Sequence, residues 1–441
     1  MPQITPANIR PGMVVAMGES APHLVVTTMQ TYYTSGPNDI ILLDKAGDIV
    51  RLNNRQKTIP PVFEHIPERP PAEFRTALLG KPDTLANSIA TTGGAEWLSI
   101  GTDPEIFAVD EAGRVIPAFA YLGPKPNGVA TAQFYDGFQA EWTTMATVCL
   151  GQQLDNVRAG MQAVRAAAKN LTASARLTSA SVVDIEFDPN IPPERYQLGC
   201  SPSLNAYNEA SPLTGTPELL PFRSAGWHMH WCRMGYKTDP IGSPIQSPFE
   251  IDKDLAAKII RLEDRILGVS LTSFGEGHHD RRRRLLYGRA GEYRLGKTLE
   301  YRTPEVLMGC HPAVWNLFWD LGRAVYWLAV KGFDFIWDSD DEETREAINQ
   351  SDVPLARKIL ARNLPVLKAI LHSAYRTDPI ATEQGVRTIM TGVDAVVAEP
   401  DNIENNWWLS PTRHWPIERQ GHATGTIWSS ASILLAQGGK I

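Results

Sequence analysis

Residues 281–304, RRRRLLYGRAGEYRLGKTLEYRTP, place seven arginines and two glutamates within twenty-four positions. The segment alternates as a β-hairpin does. In LEYR, Leu299 and Tyr301 fall on one side of a strand and Glu300 and Arg302 on the other, because strand side chains alternate with period 2. GEYR repeats the arrangement with Glu292 and Arg294. Two such strands side by side present carboxylates and guanidinium groups on one face, which suits a site holding a metal ion together with an anionic phosphate. The same residues also describe a solvated, ion-paired edge hairpin. Matching pairs elsewhere in the chain decide between the two.

Such pairs recur. WLSIGTDPEIFAVD carries Asp103 and Glu105 on one face of a strand, AQFYDGFQAEW carries Asp136 and Glu141, SVVDIEFD carries Asp184 and Glu186, and GWHMHW carries His228 and His230. Pro104 removes a ladder donor, so the first of these strands is expected to lie at an edge, end nearby or bulge. A face built from these groups concentrates too much negative charge to stay dry without cations. Oxygen-rich donors with one or two imidazoles favour Mg²⁺ or Mn²⁺ over a structural zinc site. Arg289, Arg294 and Arg302 beside those ions suit a phosphoryl group in transfer, so ATP chemistry is the natural inference. Each pair also has a plainer reading as a solvated strand face, and a lone HxH fits a zinc hydrolase or a satisfied structural histidine. The leading RRRR reads as surface or phosphate-loop material, and His278 and His279 as a solvated turn.

The elements that must position these residues can be read in order. Short β-like runs up to residue 62 predict a small antiparallel β module, and the prolines at 60, 61, 67, 70 and 71 predict a linker over 63–95 containing a short helix at 72–79. The main domain spans 96–335. Within it, apolar positions at helical spacing predict an amphipathic helix between about 145 and 177, a second over 252–267, and a Trp-rich core helix from about 311 to 332. Residues 336–441 read as mainly helical, ending in a turn-rich tail. With 441 residues, 43% hydrophobic and 21% charged, the composition is that of an ordinary globular protein. A net charge of −7 argues against nucleic-acid partners, and the start of the chain lacks a signal-peptide pattern, so a cytoplasmic protein away from the membrane is expected.

The order of the motifs carries a resemblance. GTDPEIFAVD, QAEW, AGWHMHW and TLEYRTP resemble, in the same order, the active-site segments of glutamine synthetases. The phrasing of YDGFQAEW, GCSPSLNAY, RRLLYGRAGEYR and LEYRTP is closer still to the phage-type COOH–NH2 ligases (type 2), amidoligases of the glutamine synthetase and γ-glutamylcysteine synthetase superfamily. The likeness covers about residues 98 to 310. It implies an α+β fold with a curved antiparallel sheet backed by helices. It also implies an ATP- and Mg²⁺-dependent (or Mn²⁺-dependent) ligase that joins a carboxylate to an amine through an acyl phosphate, in the host cytoplasm if phage-encoded.

Carried over by position, Glu105 and Glu141 are implied as ligands of one metal, and Asp103, His228 and Glu300 as ligands of the nucleotide-side metal. Arg302 corresponds to the arginine that meets the transferred phosphate, with Arg294 and Arg289 as further phosphate or carboxylate contacts. Asp136 or Glu186 would complete the first metal site, and His230 and Asn205 are further candidates. Asp103 stands where the synthetases have Glu, and no ammonium-site segment is recognisable, so glutamine synthesis itself is not implied. The substrates expected are small-molecule, peptide or protein carboxylates and amines, with room for an oligomer. Three other readings stand beside the ligase: a virion or assembly protein that kept the fold without the chemistry, a guanidine kinase, and a metal-dependent hydrolase.

Overall fold

A computed structural model describes residues 96–127, 131–196, 203–210, 220–238, 244–248, 251–374 and 379–409, with shorter stretches among the first 95 positions. The N-terminal strands are β1 (Gln3–Ile4), β2 (Val14–Met17), β3 (His23–Met29), β4 (Asp39–Leu43), β5 (Ile49–Asn53) and β6 (Phe63–Ile66). They form one sheet in the order β1-β6-β2-β3-β4-β5. The β module therefore runs past position 62. FEHI has strand character of its own and pairs with both β1 and β2, so the linker drawn over 63–95 begins too early. Ala72–Leu79 is a helix, as its sequence suggests.

The main sheet draws on β7 (Glu96–Val109), β8 (Val115–Ile116), β9 (Gln133–Asp136), β10 (Gln139–Trp142), β11 (Arg176–Thr178), β13 (Leu204–Asn205), β15 (Trp227–Thr238), β16 (Pro244–Pro248), β17 (Glu292–Leu295) and β18 (Leu299–Tyr301). Its path is β13-β17-β18-β15-β7-β10-β9, with β8 and β11 on β7 and β16 on β15. Two further strands, β12 (Val182–Asp184) and β14 (Phe222–Ser224), pair only with each other. The architecture is α+β, a large antiparallel sheet backed by helices. Pro104 neither ends nor edges its strand, contrary to expectation. β7 continues through it, and the missing donor falls opposite Trp227, where β15 begins; the next amide, of Glu105, donates to the Gly226 carbonyl at 2.9 Å.

Alternation divides the sheet into two faces. The back face carries Trp142, Trp227, Met229, Trp231, Leu299 and Tyr301, all buried. Trp142 meets Trp227 edge-on with centroids 5.9 Å apart, Trp227 lies 5.9 Å from Trp315, and Trp231 stacks on Tyr301 at 5.8 Å. Such pairs each add about 0.5–1.5 kcal/mol beyond burial of their area. Trp315 belongs to the helix Pro312–Val330, whose start is set by Pro312 in the first turn and by His311, whose Nδ1 accepts from the Ala313 amide at 3.0 Å. Burial lowers the pKa of His311 to about 4, which keeps the ring neutral and able to accept.

The other long helix, Leu150–Leu171, is shorter at both ends than expected, and its buried stripe is Leu150, Leu154, Val157, Met161, Val164 and Ala168. Leu171 is exposed. The C-terminal helices, from Asp341–Asn349 to Ile403–Leu409, share the core of the main sheet, so position 335 marks a change of secondary structure and not a break in packing. Glu404 ties the last helix to Leu177 of β11 and to Arg165, at 3.0 and 2.6 Å. The tail 410–441 lies outside the described residues. Among the described residues, no helix is long and apolar enough to cross a membrane.

The helix Leu150–Leu171 packs tightly on the sheet at Gly160, where an added Cβ would meet the Trp142 ring at 2.1 Å. Gly160→Ala is expected to push the indole aside and destabilise the fold by about 1–3 kcal/mol. Because Trp142 follows Glu141 on β10, chemical denaturation of this variant should show the loss even though alanine is the better helix former.

Candidate functional site

Strand register assembles the front face. Across β15 and β7, His228 lies opposite Asp103; across β15 and β18, His230 lies opposite Glu300; across β17 and β18, Arg294 lies opposite Glu300. On the other side of β7, Glu105 lies opposite Glu141 of β10, which in turn lies opposite Phe134 of β9, two positions from Asp136 on the same face. The hairpin read from GEYR and LEYR is present, closed by a short turn in which the Gly296 amide donates to the Thr298 carbonyl at 3.1 Å.

The distances sort these groups into two clusters. His230 Nε2 is 2.8 Å from Asp103 Oδ1, while His228 Nδ1 is 3.4 Å from the same oxygen and 3.6 Å from Glu300 Oε1. Arg302 Nε is 3.0 Å from Glu300 Oε1, and Arg294 Nη1 is 3.6 Å from Glu300 Oε2. Asp103, His230 and Glu300 each offer a donor atom within 4.8 Å of the others, and so do Glu105, Asp136 and Glu141. The second set is all carboxylate, the donor chemistry of a hard divalent cation; the first adds one imidazole, which Mg²⁺ tolerates and Mn²⁺ accepts readily. These residues therefore fit divalent ions. A cleft of about 530 Å³ is lined by Glu105, Asp136 and Glu141 of the second cluster and by Asp103 of the first, together with His228, Lys125, Arg294 and Arg302; His230 and Glu300 stand behind that lining.

The electrostatics differ between the clusters. Burial alone would raise the pKa of Asp103, but the charges and hydrogen bonds of His230 and His228 hold it well below the usual carboxylate range. Burial lowers the pKa of His230, and Asp103 and Glu300 more than reverse this, so the imidazole titrates above its ordinary value. Glu141 goes the other way: burial, then the charges of Asp103 and Glu105, raise its pKa well above normal, against the opposing charge of Lys125 at 3.4 Å.

Several expected residues lie elsewhere. Glu186 is exposed and beyond the end of β12, a strand outside the main sheet, and Asp184 pairs with Arg282 at the surface. Alternation was present in SVVDIEFD, but its partner strand was not on the path that carries the other acids. Asn205 is used by the backbone: its Oδ1 accepts from the Tyr207 amide at 2.8 Å and its Nδ2 donates to the Ala290 carbonyl at 3.1 Å. Arg289 faces Glu209 at 3.8 Å and does not line the cleft.

Other residues came unannounced. Tyr287 sits between the two halves of the site, its hydroxyl bonded to Glu105 and its ring 4.9 Å from the Arg302 guanidinium. Lys125 was unremarkable in its turn-rich surroundings. The arginine run is not surface material throughout: Arg283 is fully buried and donates to the carbonyls of Ala225, Thr303 and Pro304 at 3.0, 2.9 and 2.7 Å. Arg284 pairs with Glu305 at 2.7 Å, and His279 holds the same carboxylate from the other side at 3.3 Å, so it too is no solvated turn residue. The only signal for any of these was position, immediately before a paired acidic strand.

No protein-family model and no curated protein matches the chain. Among the solved structures that match is one of GmaS in its apo form without ligand, at 13% identity and a TM-score of 0.32, over 71% of this chain and 72% of that one. At that score the likeness is faint.

Since Asp103 holds the His230 proton against the effect of burial, Asp103→Asn should drop the His230 titration below the ordinary histidine value of about 6.5. NMR titration of the imidazole protons measures this directly. A His230 midpoint unchanged by the substitution would mean the 2.8 Å contact is not the dominant charge at that ring.

Proposed function

We propose that this protein is an ATP- and Mg²⁺-dependent carboxylate–amine ligase that forms an amide through an acyl phosphate. The observation that supports the reading is the pair of adjacent three-donor clusters on one sheet face, with Arg302 and Arg294 against the acid they share a border with. Divalent ions at the two clusters would neutralise the phosphates of ATP and polarise the one transferred.

The side chains then have separate tasks. Arg302, buried and held by Ser203 at 2.7 Å as well as by Glu300, presents a preset guanidinium to the transferred phosphoryl group, where a planar fork is worth more than a flexible ammonium. Arg294, a third exposed, closes the outer side of the same group. A substrate carboxylate oxygen attacks the γ-phosphorus, the bond to the β–γ bridging oxygen breaks and ADP leaves. An amine nitrogen then attacks the acyl carbon, the bond from that carbon to the phosphate oxygen breaks, and an amide, inorganic phosphate and a proton result. His230 keeps Asp103 ionised throughout, and Tyr287 holds Glu105 in place.

Incubation with ATP, Mg²⁺ and pooled amino acids, followed by mass spectrometry, tests the reading. ADP together with a new amide is expected; ADP with a phosphorylated guanidine product would assign a kinase instead, and zinc in the purified protein without nucleotide turnover would assign a hydrolase. Glu300→Ala should lower kcat by about 10²–10³-fold, and chelation of divalent ions should abolish turnover. Ligation that survives Glu300→Ala at ordinary Mg²⁺ would end the assignment.

A second expectation follows from Glu141. Its raised pKa means a divalent ion must displace a proton to bind there. Mn²⁺ affinity should therefore strengthen as pH rises through the raised Glu141 pKa, and calorimetry in buffers of different ionisation enthalpy should register proton release, which Glu141→Gln removes.

A further inference from the structure

Behind the hairpin that carries Arg294, Glu300 and Arg302 lies a buried carboxylate with no contact to the cleft. Asp264 is the first residue of a π-helical turn, Asp264–Gly268, inserted between the helices Lys253–Glu263 and Val269–Phe274. It is fully buried. Its Oδ1 accepts from the Tyr301 hydroxyl at 2.7 Å and lies 3.2 Å from Thr303 Oγ1, while Oδ2 accepts from the Gly291 amide at 2.5 Å. Thr303 Oγ1 is also 3.0 Å from the Arg289 carbonyl, so one proton is shared between two acceptors and the segments 289–291 and 301–303 are drawn to one point.

The geometry of the strand gives this anchor its leverage. Tyr301 and Thr303 alternate with Glu300 and Arg302, so the pair held behind the sheet brackets the arginine that projects in front. β18 has three residues, too few for its ladder to hold a side chain in one direction unaided. The π-turn also makes the approach possible: at Gly268, its last residue, an added Cβ would lie 2.8 Å from the Tyr301 hydroxyl. A carboxyl group presents two acceptor oxygens to these donors, where an amide would present one oxygen and a donor and an apolar side chain would present neither.

We propose that Asp264 is a positioning residue of the site, fixing the direction of Glu300 and Arg302 through Gly291, Tyr301 and Thr303. The consequence for catalysis rests on the ligase reading; the consequence for the backbone does not. An apolar residue would fill the space without the cost of burying an acid, and this acid is costly, with burial outweighing the hydrogen bonds of Tyr301, Gly291, Thr303 and Tyr207 to push its pKa up to about 7.

Hydrogen exchange and turnover of the full chain, measured on Asp264→Asn and Tyr301→Phe, test this. In Asp264→Asn the amide group turns a donor toward Gly291, and exchange across 289–303 should accelerate about tenfold, the equivalent of one net hydrogen bond, while the helix Pro312–Val330 keeps its protection. Tyr301→Phe, which removes only a hydroxyl and keeps the core filled, should give a smaller acceleration in the same segment; it carries the test if the first variant does not fold. With ATP, Mg²⁺ and pooled amino acids, Asp264→Asn should lose about 10–100-fold in kcat with KM for ATP nearly unchanged. Unchanged exchange over 289–303, or acceleration shared equally by the core helix, would overturn the proposal, as would a KM effect in place of a kcat effect. If the wild-type chain turns over no ATP, the ligase reading fails while the localised exchange change still supports Asp264 as the anchor.

Discussion

The structure depends on a constraint of charge. Asp103, Glu105, Glu141 and Glu300 stand on one face of one sheet, and three of them are almost wholly withdrawn from solvent. Two like charges 4 Å apart at an effective dielectric constant near 20 repel by about 4 kcal/mol, so such a face cannot remain ionised without cations held at comparable range. The chain supplies them unevenly. Asp103 has two imidazoles and Glu300 has two guanidinium groups, whereas Glu141 has Lys125 at the mouth of the cleft and Glu105 has the hydroxyl of Tyr287 and the amide of Gly226. Burial and the charges of Asp103 and Glu105 push Glu141 toward its protonated form, and a divalent cation is the species best suited to replace such a proton.

Charges arranged so tightly are useful only if the strands beneath them do not shift. β17 and β18 together contribute seven residues and carry Arg294 and Glu300, with Arg302 following directly on β18. Their rigidity comes from behind: Trp231 against Tyr301, Asp264 against Tyr301 and Gly291, and the Arg283 guanidinium gathering the carbonyls that follow Arg302. Gly288 shows how closely this last group is packed, since its backbone sits at φ +80 and an added Cβ would overlap Arg283. A buried arginine satisfied entirely by backbone carbonyls carries its charge into the interior without a carboxylate partner, which adds positive potential just behind the acids.

What the sequence disclosed follows from period 2. LEYR, GEYR, WHMH and the DPE of β7 each place two polar residues on one face, and once the strands pair antiparallel the pairs meet without further instruction. The same rule misled at SVVDIEFD, because alternation reports which face a residue takes and says nothing of which strand lies beside it. It also could not rank His228 against His230: both face forward, and although His228 lies opposite Asp103 across β15 and β7, it is His230, opposite Gly101, that comes nearest to Asp103, at 2.8 Å. Asp264, Arg283 and Tyr287 were illegible for another reason. Each acts across a sequence separation of twenty to nearly two hundred residues through a contact that no local pattern encodes.

The two clusters are joined by a single strand. Asp103 and Glu105 are neighbours on one face of β7, separated by two residue rises, roughly 7 Å. A strand is a stiff ruler, and ions bound at its two acids would be held at a separation the protein sets, not the ligand. Pro104 sits between them at the point where β15 begins, so the amide it lacks is taken from a place where the ladder was already changing partners. The proline restricts the backbone between the two acids without breaking the sheet. On the proposed ligase reading, an all-carboxylate site and a mixed imidazole–carboxylate site at one fixed spacing, bordered by a preset guanidinium, would distinguish a polyphosphate spanning both from a single anion occupying either one.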